Sequence, residues 1–158
     1  MLYNSGVFVA AVALFMGVFP LLSTLIESLT HQNHEAVIDL VGKWFVFWAV
    51  GVRLLTAGVR QIVKPGLTSE GILGIKGREV WQLVRELGFA NVSIGLVGII
   101  SLWKSNWRIP DAIAGGLFLL LAGIAHLPKK DRTAEEGLAM YSDLAIGVLM
   151  GVYVAWRV

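Results

Sequence analysis

The stretch Trp81–Gly98, WQLVRELGFANVSIGLVG, opens polar and closes as an apolar, glycine-spaced run. Glu86 and Asn91 lie within it, where a bilayer tolerates neither side chain without a partner. At about 100° per residue, Gly88, Asn91, Gly95 and Gly98 share one helical face, and Gln82, Arg85, Glu86 and Ser93 group on another. Small residues at such spacing let helices approach closely. Asn91 is therefore expected to hydrogen-bond a neighbouring helix from a glycine-lined seam. Glu86, about 140° away from it, faces a different neighbour.

The rest of the chain agrees with a membrane setting. Of its 158 residues 56% are hydrophobic and only 15% charged, against about 45–50% and about 25% in soluble domains. One domain over 1–158 is the natural count. A formal net charge of +2 is too small for a nucleic-acid surface. With no cysteine, disulfides, Cys-ligated zinc, iron–sulfur clusters and thiol redox relays are excluded.

A transmembrane helix needs about 20 mainly apolar residues, and five segments qualify. The first covers Ser5–Glu27. It lacks a basic leader and a small-residue cleavage site, so it reads as a retained helix, and Pro20 is expected to kink it. The second covers Lys43–Val63 and stops at Pro65-Gly66. The third runs from Glu79 or Trp81 to Trp103, after a polar loop over Lys64–Gly77. The fourth opens at Pro110-Asp111 and closes at His126-Leu127-Pro128. The fifth covers Gly137–Trp156, after a charged turn over Lys129–Glu136.

Five spans place eight basic residues on the side of Arg60, Lys64 and Lys129, and four (Lys43, Lys104, Arg108, Arg157) on the other. The excess of Lys and Arg marks the cytoplasmic side. The expectation is therefore a multi-pass protein of the inner (plasma) membrane with a cytoplasmic N-terminus. Trp44, Trp103, Trp107 and Trp156 fall at the opposite face, as an aromatic belt does.

Arg53 lies about midway along the second span. A mid-bilayer arginine costs about 2.5–3.5 kcal/mol on insertion scales, and it does not neutralise itself. It must pair or snorkel. Asp143, on a face with Met140, Gly147, Met150 and Val154, and Glu86 are its candidate partners by depth. His126 closes the fourth span on the same side, where a helix C-terminus suits its protonated form. Such residues serve either as glue between helices or as a ligand, proton or ion site. His31 and His34 lack a third strong ligand and read as a solvated loop, so no metal site is expected. The glycines of Gly71–Gly77 follow no strand and carry no phosphate-loop lysine and serine, and no serine sits in a nucleophile elbow.

The segments GVRLLTAGVRQIVKP, RELGFANVSIGLVGI, AGIAHL and EEGLAMYSDLAIGVL resemble landmarks of the DoxX-like superfamily of small bacterial multi-helix membrane proteins, and more narrowly one of its branches of uncharacterised domains. The resemblance covers about 48–153. It implies a compact four-helix unit, here over 43–156, with polar residues turned inward, and this chain adds the helix over 5–27 ahead of it. It also implies Arg53, Gln61, Glu86, Asn91, His126 and Asp143 as the positions of a ligand site or polar cluster. A respiratory context is one option that it raises.

The fold expected is thus all-α, an integral membrane bundle of five transmembrane helices. The leading function is a small inner-membrane protein whose polar cluster pairs helices and takes a small ligand, with membrane lipid around it and no catalytic residues assigned. The protein acts alone, as a homo-oligomer or within a larger membrane complex. An accessory subunit of a membrane redox or pigment complex is one alternative, and a small transporter or intramembrane enzyme is another. No cofactor is named by these residues.

Overall fold

The computed structural model describes residues 5–30, 36–70 and 74–158, and every regular element in them is helical. Helix α1 runs through Ser5–Ala13, Leu14–Val18 and Phe19–Thr30, with the middle stretch wound as π-helix. The wider turn lies just before Pro20, whose ring crowds the preceding turn and whose nitrogen donates no hydrogen bond. The helix thereby continues past the proline, and past Glu27, to Thr30.

Helix α2 is built the same way, from Val37–Phe45, a π stretch over Val46–Val52, and Arg53–Val63. It begins earlier than the apolar run at Lys43 suggests, because Val37, Ile38 and Leu40 extend the pattern downward. Helix α3 is short, Pro65–Ser69, with proline in its first turn, where a missing N–H costs nothing. It occupies part of the stretch expected to be a polar loop, and it buries Thr68 and Ser69. Helix α4 covers Glu79–Ile100, α5 covers Arg108–His126 after a 3₁₀ turn at Ser105–Trp107, and α6 covers Ala134–Arg157. Thr133 caps α6 by accepting from the Glu136 backbone N–H at 3.1 Å, so that helix starts inside the expected charged turn. His31 and His34 lie outside the described residues, as do Gly71 and its two successors.

Among the described residues, four helices are long and apolar enough to cross a membrane: Gly6–Thr30, Glu79–Ile100, the Ser105–His126 segment and Ala134–Arg157. Helix α2, carrying Lys43, Arg53 and Arg60, falls outside that set. It nevertheless supplies much of the core. Val46, Ala49 and Val50 are fully buried, together with Leu119 of α5 and Met150 of α6. The outer faces stay apolar, as with Leu21, Leu25, Leu83, Leu117, Leu121 and Val148. Apolar residues exposed over so many faces call for a lipid environment.

Helices α2 and α4 meet along a glycine seam. A Cβ on Gly95 would lie 2.5 Å from the Leu55 backbone nitrogen, and one on Gly58 would lie 2.6 Å from the Gly88 carbonyl oxygen. Only glycine permits that approach. Helix α5 packs chiefly against α6. Helix α1 returns onto α2 through a cluster at their shared end. There Lys43 donates to both Glu27 oxygens at 2.6 and 2.8 Å, and Trp44 Nε1 donates to Glu27 at 2.6 Å. Arg157 of α6 joins that end through Asp39 at 3.2 Å.

Candidate functional site

The site grows from the need of Arg53 for a counter-charge. Its Nη2 donates to Asp143 Oδ1 at 2.6 Å, across from α2 to α6. Asp143 is brought inward by the face that it shares with Met140, Gly147 and Met150, all buried in the contact between α6 and its neighbours. Arg53 stands at the point where the π stretch of α2 gives way to ordinary α-helix.

One turn or more toward the next polar layer, Asn91 Nδ2 donates to Gln61 Oε1 at 2.7 Å. Both side chains are buried. The glycine seam carries this bond, since it holds α2 and α4 close enough for two short amides to meet. Asn91 Oδ1 is enclosed and has no hydrogen-bond partner among the described residues.

His126 closes α5 and faces the first turn of α6. Its Nδ1 lies 2.9 Å from Glu136 Oε1, and Lys129 Nζ donates to Glu136 Oε2 at 2.7 Å. The Glu136 side chain is only 2% exposed. Arg132 donates to the carbonyl oxygens of His126 and Leu127 at 3.1 and 2.7 Å, which closes the end of α5.

Arg53, Gln61, Asn91, His126 and Asp143 all line one half-enclosed cavity of about 280 Å³. Phe8, Val12 and Phe15 of α1 and Phe118 of α5 contribute apolar surface, and Thr68 of α3 and Arg60 of α2 add further polar groups. The Arg60 guanidinium lies 6.0 Å from the centre of the Phe8 ring, within reach of a cation–π contact. The cavity is therefore lined by charged, amide and aromatic side chains together.

Glu86 is not part of this assembly. It is exposed on α4 and accepts from Gln82 Nε2 at 3.3 Å. The reason is azimuthal. Glu86 stands about 180° from Gly95 around the helix, and turning the glycines onto α2 turns the carboxylate out. Of the two partners that depth allows for Arg53, packing selects Asp143.

Two buried carboxylates stand outside the sequence-derived set. Glu136 belongs to the pattern Thr133-Ala-Glu-Glu136, a capping-box spacing that marks a helix start. Its side chain reaches across to His126 and Lys129 instead of back to its own cap, and only the α5–α6 contact reveals that. Asp111, 2% exposed, sits in the first turn of α5. Its Oδ2 has no hydrogen-bond partner among the described residues, and a Cβ on Gly98 would lie 2.7 Å from it. The first-turn position was legible as a helix-dipole contact, but its burial against the glycine seam was not.

Over the described residues, these features define an all-helical protein with four helices of membrane-crossing length and apolarity and a half-enclosed, largely apolar cavity lined by several polar side chains. The chain belongs to the DUF6790 family, a family of unknown function, which it matches over residues 10–158. That match takes in α2 to α6 and most of α1, so every residue of the cavity except Phe8 lies within it. Neither the curated proteins nor the solved structures include a match to this chain.

Proposed function

We propose that this protein is a small inner-membrane protein that binds a small ligand in the cavity between α1, α2, α4, α5 and α6. The observation that carries this reading is the convergence of Arg53, Gln61, Asn91, His126 and Asp143, from four different helices, on one cavity of about 280 Å³. Polar glue between helices needs only paired contacts. A cavity with polar groups on its surface is the usual form of a ligand site.

In the same proposal α2 is a fifth span and the N-terminus is cytoplasmic. Arg53 is paired inside the bundle, so its charge does not bar α2 from the membrane. Arg60, Lys64, Lys129 and Arg132 gather on the side read as cytoplasmic, and Lys43 and Arg157 lie on the other. The likeness of α2 and α4–α6 to the four-helix unit of the DoxX-like superfamily belongs to this reading as well.

The test is native mass spectrometry of the full chain extracted gently from its own membrane. A bound mass is expected on the wild type. Ala122→Phe, which fills the cavity beside Phe118, should abolish it. Retention of the same mass by that variant, with its fold intact, places the ligand elsewhere.

A further inference from the structure

We infer that the cavity takes an uncharged, apolar molecule that carries a carbonyl group. This rests on reading the cavity as a ligand site and names the chemistry of the ligand.

The charged groups of the lining are already engaged. Arg53 donates to Asp143 at 2.6 Å, and His126 Nδ1 lies 2.9 Å from Glu136. Arg60, engaged as well, has its guanidinium 6.0 Å from the centre of the Phe8 ring. A charged ligand would give up its hydration here without meeting an unpaired counter-charge. The lining therefore favours a neutral occupant.

Much of the remaining surface is apolar, with Phe15, Leu54, Leu87 and Phe118 among it. An apolar cavity of about 150 Å³ stays dry and takes benzene. One of about 280 Å³ has room for a second ring. The approach is apolar too. Thr56 and Arg60 line both the cavity and an adjoining groove formed with Leu55, Val59 and Val63, and Val59 and Val63 are exposed on the outer face of α2.

Two lining side chains keep a polar group to spare. Gln61 accepts from Asn91 through Oε1, whereas its Nε2 is accessible and donates to nothing among the described residues. Thr68 of α3 is 6% exposed, and its hydroxyl is likewise accessible and makes no hydrogen bond among the described residues. Both residues line the cavity. An amide NH₂ and a hydroxyl both donate, and a carbonyl oxygen accepts. A carbonyl thus answers these donors while adding no charge. It also fixes the orientation of a molecule that the apolar surface alone would hold in any pose.

Three probes of one shape separate the possibilities. 2-Acetylnaphthalene is neutral and has the carbonyl, 2-ethylnaphthalene is neutral and lacks it, and 2-naphthoate is an anion. Binding to the full-length protein is measured by equilibrium dialysis at matched detergent. Subtracting the signal of Ala122→Phe removes uptake by the micelle and leaves the cavity. The ketone is expected to bind tightest, with the hydrocarbon weaker by about tenfold for one hydrogen bond, and the carboxylate weakest. In the double variant Gln61→Leu with Thr68→Val the preference for ketone over hydrocarbon should vanish. Thermal unfolding of each variant without probe checks its fold. If the double variant does not fold, Thr68→Val alone is expected to narrow the preference.

Naphthoate binding as tightly as the ketone overturns the proposal, and so does hydrocarbon binding equal to ketone. Binding of none of the three overturns it as well. In that case a native mass lost in Ala122→Phe leaves the cavity a ligand site of other chemistry. If no native mass depends on the cavity either, the site reading fails with it.

Discussion

Arg53 Nη2 and Asp143 Oδ1 stand 2.6 Å apart, joining α2 to α6 across ninety residues of sequence. Both side chains are largely shielded, at 14% and 9% exposure. At such a site the pair is a unit. Removing one member leaves a poorly solvated charge without its counter-ion, whereas removing both leaves none.

Arg53→Leu is therefore expected to destabilise the protein by about 3–5 kcal/mol. The double variant Arg53→Leu with Asp143→Leu should recover most of that loss. Thermal or denaturant unfolding in detergent completes the cycle. A double variant as unstable as the sum of the single ones would deny that the two groups are coupled.

The glycine seam yields a second contrast. Gly95→Ala sets a methyl 2.5 Å from the Leu55 backbone nitrogen, while a Cβ on Gly151 meets nothing within 4 Å. Each substitution gains about 1 kcal/mol of helix propensity, so their difference isolates the clash. Gly151→Ala should be neutral or stabilising. Gly95→Ala should lose about 1–3 kcal/mol through overpacking. Equal stabilities of the two variants would mean that α2 and α4 are not in contact there.

Glu136 is the shared acceptor of His126 and Lys129. Glu136→Ala leaves the histidine at the end of α5 without its carboxylate and should cost about 2 kcal/mol. Asp131→Ala, an exposed change in the same connection, should stay within about 0.5 kcal/mol. Unfolding midpoints of the two variants compare them directly.

Topology is open to a direct measurement. With five spans a reporter fused after Val158 emerges on the side opposite the N-terminus. Alkaline phosphatase activity at that position, and none from a fusion in the Lys129–Arg132 turn, is the expected pattern. A cytoplasmic C-terminus would leave α2 out of the membrane-crossing set.

Much of the fold was legible because helices are local. Apolar runs of about 20 residues, Pro65-Gly66 and Pro110-Asp111 located the long helices, with errors of a few residues at their ends. The face of Gly88, Asn91, Gly95 and Gly98 was readable from the 3.6-residue period alone, and so was the inward side of Asp143. The π stretches at Leu14–Val18 and Val46–Val52 were not, since they answer to Pro20 and to packing around Val46, Ala49 and Val50.

The sequence by itself determined that the chain is helical and apolar, and that Arg53 needs a partner at its depth. Only the tertiary structure decided which carboxylate answers it, sent Glu86 outward, buried Glu136 and Asp111, and drew Gln61 to Asn91 around a common cavity. Periodicity states where a side chain points from its own helix axis. Which neighbour stands there depends on how the helices are arranged around one another, and close packing at glycines settles that arrangement for all of them together.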